Sequence, residues 1–229
     1  MRIQVVAPEF DVVTSYSVRW AEEAIEKLRE KYVVRAMTGR PYTRQEVERV
    51  FERAFEMFVF YDHGNEDALY GDENEKVIDL DNVELLRDKI VYTMACLSAK
   101  KLGVEAWRRG CRVYWGYYEP FCFTLAEEHY FKRFANYGLM LLADGVPPAE
   151  AKRRTLQLGQ QLIEELQKRG RYIAAAVLKQ DMEALRCYNG EIPPSTCPFR
   201  RLALLLFGRH GWHLRKLLRS LLRRLLPFL

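Results

Sequence analysis

Apolar positions along this chain fall into blocks whose period switches between strand-like and helix-like, and turn residues separate the blocks. Ile3 to Ala7 reads as a strand, followed by a loop from Pro8 to Tyr16. Trp20, Ala21, Ala24, Ile25 and Leu28 then recur at one-face helical spacing, with Ser17 as the expected cap. Tyr32 to Met37 predicts a second strand. Thr43 and Glu46 form a capping-box pattern ahead of a helix whose apolar face is Val47, Val50, Phe51, Ala54 and Phe55. Met57-Phe58-Val59-Phe60-Tyr61 and Ile90-Val91-Tyr92-Thr93-Met94 are short runs of β-branched and aromatic residues, the mark of strands buried on both faces. Such alternation of strand and helix predicts an α/β fold with a doubly wound, mostly parallel sheet.

Between those two runs, Ala68-Leu69-Tyr70 and Lys76-Val77-Ile78 flank Gly71 to Glu75 and predict a small hairpin. Leu102, Ala106 and Trp107 suggest a short helix, and Cys111 to Gly116 a further strand. Phe123 to Asp144 has a mixed helical pattern. Pro147-Pro148 opens a helix with Leu158, Leu162, Ile163 and Leu166 on one face; Gly170 breaks it, and helix resumes from Tyr172 to Ala184. Pro193-Pro194 reads as a linker, which puts an α/β domain at residues 1–192 and a separate segment at 193–229.

Charge separates the two parts. The 229 residues carry 36 Lys and Arg against 31 Asp and Glu, a formal +5. Eight of those cations and no acid lie in residues 200–229, which leaves 28 against 31, a net of −3, for residues 1–199. The excess positive charge is therefore a property of the tail, and a nucleic-acid-binding surface on the main domain is not expected. In the tail, Leu214, Leu217, Leu218, Leu221, Leu222, Leu225 and Leu226 oppose Arg215, Lys216, Arg219, Arg223 and Arg224. That pattern predicts a basic amphipathic helix, suited to a membrane surface, a partner protein, its own domain or a second copy in a homo-oligomer. Five cysteines and no secretory leader pattern suggest a reducing cytoplasm, with the tail allowing peripheral membrane attachment.

The candidate chemistry sits where the two buried runs end. His63 follows the first and Cys96 the second, and α/β folds build their sites outside the carboxyl ends of strands. A thiol becomes a nucleophile as its thiolate, which an imidazole or a helix amino terminus favours; Ser98 is the expected cap of a helix that would place Cys96 at such a terminus. His63 would serve as general base, with Asp62 as a neighbour able to orient it. Gly64, free of a Cβ, and Cys96 would offer their backbone N–H groups as an oxyanion hole.

A strand closing in His63-Gly64 and a later strand closing in Ala95-Cys96-Leu97-Ser98 resemble the caspase-like cysteine peptidases: caspases, metacaspases, legumains, gingipains and their CHAT relatives. The His-to-Cys interval of 33 residues, against roughly 50 in caspases proper, points to the gingipain and CHAT branch. The resemblance implies a three-layer α/β/α domain, with Leu185 to Gly190 as its last short strand. It also implies a His63–Cys96 dyad that cleaves peptide bonds in a peptide or protein substrate without a cofactor or metal. It places Glu9 and Asp11 in the region of the pocket for the residue before the scissile bond, where acids would favour Arg or Lys. Met94 stands where metacaspases carry an acid, and Trp115, Tyr117 and Glu119 fall on the loop expected to wall the substrate groove. The alternative is a catalytically silent caspase-like binding or scaffold module whose tail docks a partner or membrane surface.

Overall fold

Six strands make one sheet in the computed structural model, which describes residues 1–189. In chain order the elements are β1 (Arg2–Ala7), α1 (Val12–Arg29), β2 (Val33–Thr38), α2 (Arg44–Val50), β3 (Met57–Tyr61), β4 (Ala68–Tyr70) and β5 (Lys76–Asp79). They continue with β6 (Ile90–Met94), α3 (Leu102–Arg108), β7 (Val113–Tyr117), α4 (Glu128–Ala143), α5 (Pro148–Lys168), α6 (Tyr172–Ala184) and β8 (Leu185–Tyr188). The sheet runs β2-β1-β3-β6-β7-β8, parallel throughout except for β8, which lies antiparallel to β7; β4 and β5 form a separate antiparallel hairpin. The expected basic amphipathic helix and its linker lie outside the described residues.

Side-chain alternation divides the core into two layers. Met57, Val59 and Tyr61 of β3, Tyr92 and Met94 of β6, and Val113, Trp115 and Tyr117 of β7 pack against α1, α4, α5 and α6. Phe58, Phe60, Val91 and Tyr114 face α2, α3 and the hairpin. Apolar groups on both faces of the central strands explain why their sequences read as unbroken hydrophobic runs. Gly138 lets α4 lie directly on the sheet, since a Cβ there would come within 2.3 Å of Trp115 Cζ2.

Local signals placed most elements well, with three corrections. First, α1 starts at Val12 and is capped by Asp11, not Ser17: Asp11 accepts from Thr14 N–H at 2.7 Å, and Thr14 Oγ1 accepts from Asp11 N–H. Ser17 lies inside the helix, where its hydroxyl donates to the Thr14 carbonyl. Second, the capping box of Thr43 and Glu46 is present, but α2 ends at Val50. Phe51 and Phe55 leave the helical path to pack with Phe58 of β3, so burial of the rings outweighs helix continuation. Third, α4 starts at Glu128, after a 3-10 turn at Leu125–Glu127.

Candidate active site

β1 leads to β2 on one side and lies beside β3 on the other, so the carboxyl ends of β1 and β3 border a topological switch point. A cleft of about 250 Å3 opens there, lined by Phe10, Asp11, His63, Gly64, Tyr70 and Glu73. Asp11 reaches it from the amino terminus of α1 and His63 from the end of β3. His63 Nε2 and Asp11 Oδ2 are 2.8 Å apart, with the two side chains 38% and 41% exposed. Phe10 places its ring 5.7 Å from the imidazole. Burial alone would raise the Asp11 pKa, but the Thr14 N–H and His63 outweigh it and hold the carboxylate below its ordinary value. Asp11, expected as a substrate-pocket acid, is thus tied up as helix cap and imidazole partner. Glu9 turns the other way, its N–H donating to the Arg40 carbonyl near the end of β2.

Asp62 does not orient the imidazole. Its Oδ1 accepts the backbone N–H of His63, and its Oδ2 is buried without a hydrogen-bond partner among the described residues. Burial, reinforced by Asp11 and Asp72, pushes its pKa up to about 9 against the pull of the His63 amide, so this carboxyl is neutral at pH 7.

Cys96 occupies the equivalent point on the adjacent strand. β3 and β6 pair with Tyr61 opposite Met94, and the ladder extends one step further through Asp62 N–H to Met94 O. Gly64 sits tightly against the chain after β6: a Cβ on it would meet Ala95 Cβ and the Cys96 carbonyl, each at 3.0 Å. Ser98 is not a helix cap. It is buried beneath the turn, 2.8 Å from Thr93 Oγ1, and its hydroxyl donates to the Ala95 carbonyl. α3 begins only at Leu102, so Cys96 gains no helix dipole; Leu97 instead takes a left-handed φ of 59°, which bends the chain sharply past the cysteine.

The thiol is partly buried, and no cation acts on it. Cys96 Sγ donates to the Phe121 carbonyl at 3.8 Å, and burial raises its pKa rather than lowering it. Phe121 is held through its neighbour, because Cys122 N–H donates at 3.0 Å to Oδ1 of Asp181, an acid of α6 with no solvent exposure. Asp181 Oδ2 has no partner among the described residues, and burial pushes this carboxyl up to about 8. His63 and Cys96 do not hydrogen-bond to each other.

The other expected wall residues divide by burial. Trp115 and Tyr117 are core side chains, Trp115 stacked with Tyr92 and Tyr117 edge-on to Phe121, and Met94 is buried as well; none of the three walls an open groove. Glu119 is exposed and lies 3.9 Å from Lys100. Phe121, Leu97 and Asp181 were not anticipated. Only Asp181 had left a trace, an acid in step with Ala174 and Leu178 on the apolar face of α6.

The sheet has one reversed strand, at the β8 edge, and His63 and Cys96 follow the ends of neighbouring parallel strands; the arrangement is caspase-like by its likeness to a solved structure. Among solved structures, the crystal structure of the Arg-specific cysteine proteinase gingipain R matches with a TM-score of 0.54 over 82% of this chain, at 10% identity. The chain spans 46% of that one, less than half its length, and at this identity the likeness is one of fold. No protein-family model and no curated protein matches the sequence.

Proposed function

We propose that the chain is a caspase-like cysteine peptidase in which Cys96 attacks the peptide carbonyl and His63, held by Asp11, accepts the thiol proton and returns it to the leaving amine. The observation that carries this reading is the register of β3 and β6. Two residues beyond the Tyr61–Met94 pair come His63 and Cys96, on one rim of the sheet and with the parity of the side chains that face α1 and α4. Gly64 and Cys96 would supply the N–H groups for the oxyanion. Asp11 fixes the ring through Nε2 and leaves Nδ1 for the thiol. Glu73 gives the cleft beside His63 a carboxylate not engaged by the imidazole, which would suit a basic substrate residue.

One observation favours the silent-module reading: the thiol is bonded to Phe121 and its pKa is raised, where a resting thiolate would need it lowered. On the peptidase reading this is a resting state, and substrate entry must displace the Phe121 carbonyl from the sulfur. A peptide-library cleavage assay decides between the two. We expect cleavage by the intact chain and none by Cys96→Ala or His63→Ala, both with unchanged thermal melting. No cleavage by the intact chain, or equal cleavage by a folded Cys96→Ala, would remove the peptidase reading.

A further inference from the structure

We infer that the outer edge of β2 is a docking site for an extended, acidic peptide segment of a partner protein. Among the described residues, β2 is the last strand on its side of the sheet and pairs only with β1. Its ladder bond from Gly39 N–H to Ala7 O fixes the parity: Val33, Arg35 and Met37 turn their amides to β1, whereas Val34 and Ala36 turn theirs outward. The open edge stops at Thr38, whose carbonyl accepts from the Tyr42 hydroxyl at 3.0 Å. A row of N–H and C=O groups with no strand partner among the described residues is a template for an added strand.

A groove of about 410 Å3 lies along that edge, lined by Val34 and Ala36 on the α1 face, Met37 and Val50 on the α2 face, and by Arg29, Arg35 and Arg53. All three arginines are exposed, and none makes an ion pair, hydrogen bond or ring contact through its side chain among the described residues. Most other arginines of the domain are tied to a carboxylate, as Arg2 is to Glu56 and Arg44 is to Asp79. The groove lining contains no acid. Arg29 ends α1 on one face of the sheet. Arg35 shares the parity of Met37 toward α2, and Arg53 follows α2 on that same face. An added strand points successive side chains to opposite faces, so acidic residues at neighbouring positions would meet arginine on both sides.

Charge selects the occupant. Residues 190–229 contain one acid, Glu191, so the chain's own tail lacks the complementary charge. A second copy pairing β2 to β2 would bring like charges together. An acidic extended segment satisfies the amides, the apolar side chains on both faces and the guanidinium groups at once.

The test uses the full-length chain and a fluorescein-labelled decapeptide of alternating Glu and Val. Fluorescence anisotropy should show saturable binding that weakens at least tenfold in Arg35→Glu/Arg53→Glu, with circular dichroism unchanged. Binding should weaken similarly when alternate amides of the peptide are N-methylated, which keeps its charge but blocks strand pairing. No binding would overturn the proposal. So would equal binding by the charge-reversed variant, which would place the peptide on the basic tail, and equal binding of the N-methylated peptide or of an oligothymidylate, which would reduce the site to a general polyanion surface.

Discussion

Replacing Asp181 with asparagine should make the protein more stable at neutral pH, and by an amount that depends on pH. The folded carboxyl keeps its proton up to about pH 8, whereas the unfolded one releases it near 3.8. Unfolding therefore releases a proton between those values. The stability contributed by this group is complete below pH 3.8 and falls steadily as pH rises, until it is lost near pH 8. At about 1.4 kcal/mol per pH unit, the penalty accumulated by pH 7 is about 4 kcal/mol. Asparagine carries no such penalty, has the same shape, and keeps an oxygen for the Cys122 N–H. With relaxation and water entry softening the burial, we expect Asp181→Asn to gain about 2 to 4 kcal/mol at pH 7 and close to nothing at pH 4. Urea unfolding of both proteins at pH 4, 5.5 and 7, under reducing conditions, measures this as a widening gap in midpoint at constant m-value. A gap of equal size at all three pH values, or a less stable asparagine variant at pH 7, would refute the reasoning and mean that Asp181 is ionised in the folded chain.

Gly138→Ala should cost about 1 to 3 kcal/mol, because its Cβ would lie 2.3 Å from the buried Trp115 ring; a change in urea midpoint equivalent to less than half a kcal/mol would contradict the close approach. Asp11→Asn keeps an N-cap that asparagine fills as well as aspartate, so stability should move by only about a few tenths of a kcal/mol. Peptidase activity should nevertheless fall at least tenfold through loss of the carboxylate on His63, and unchanged turnover would detach Asp11 from the site. Iodoacetamide at pH 7.5, followed by mass spectrometry, should label exposed Cys122 before Cys96, and Cys111 last of the three, since burial raises the Cys96 thiol and pushes Cys111 up to about 12. Cys96 reacting first would mean a thiol pKa lowered and not raised in the folded chain, against the desolvation seen at that site.

What could be read from the chain beforehand was whatever local chemistry decides. The Thr43 and Glu46 capping box, the hairpin around Gly71 and each of the two strands that end at His63 and Cys96 depend on residues a few positions apart. The start of α1 escaped because Val12 and Val13, β-branched and exposed at 77% and 51%, give its first turn no amphipathic signature; only the reciprocal bonds of Asp11 and Thr14 reveal it. Thiol acidity escaped for a different reason. Spacing suggested a helix dipole and an imidazole for Cys96, but its neighbours are set by the loop after β7 and by α6, from 25 to 85 residues downstream. The same holds for Trp115, whose place on the strand left open whether it lined a groove or filled the space left by Gly138.

The costs in this fold are not spread evenly. Asp62 and Asp181 each hold a buried carboxyl oxygen without a partner among the described residues, and Leu97 holds a left-handed backbone that a side chain disfavours. The backbone cost alone is about 1 kcal/mol. All three adjoin the ends of β3 and β6: Asp62 precedes His63, Leu97 follows Cys96, and Asp181 anchors the loop whose carbonyl holds the Cys96 thiol. Elsewhere, Tyr114 Oη and Trp115 Nε1 of β7 are also buried without a partner among the described residues, and Asp88 shares the left-handed backbone with a φ of 60°, whereas Asp79 takes Arg44 in two bonds of 2.8 and 3.0 Å. Stability alone would favour neutral isosteres at Asp62 and Asp181 and a glycine at Leu97. Of the four buried side-chain atoms without a partner among the described residues, the two that belong to carboxyls thus lie beside the rim that carries His63 and Cys96, which is the placement the proposed chemistry would lead one to expect. The stability gain expected of Asp181→Asn therefore measures how much this rim gives up, and the cleavage assay asks what it receives in return.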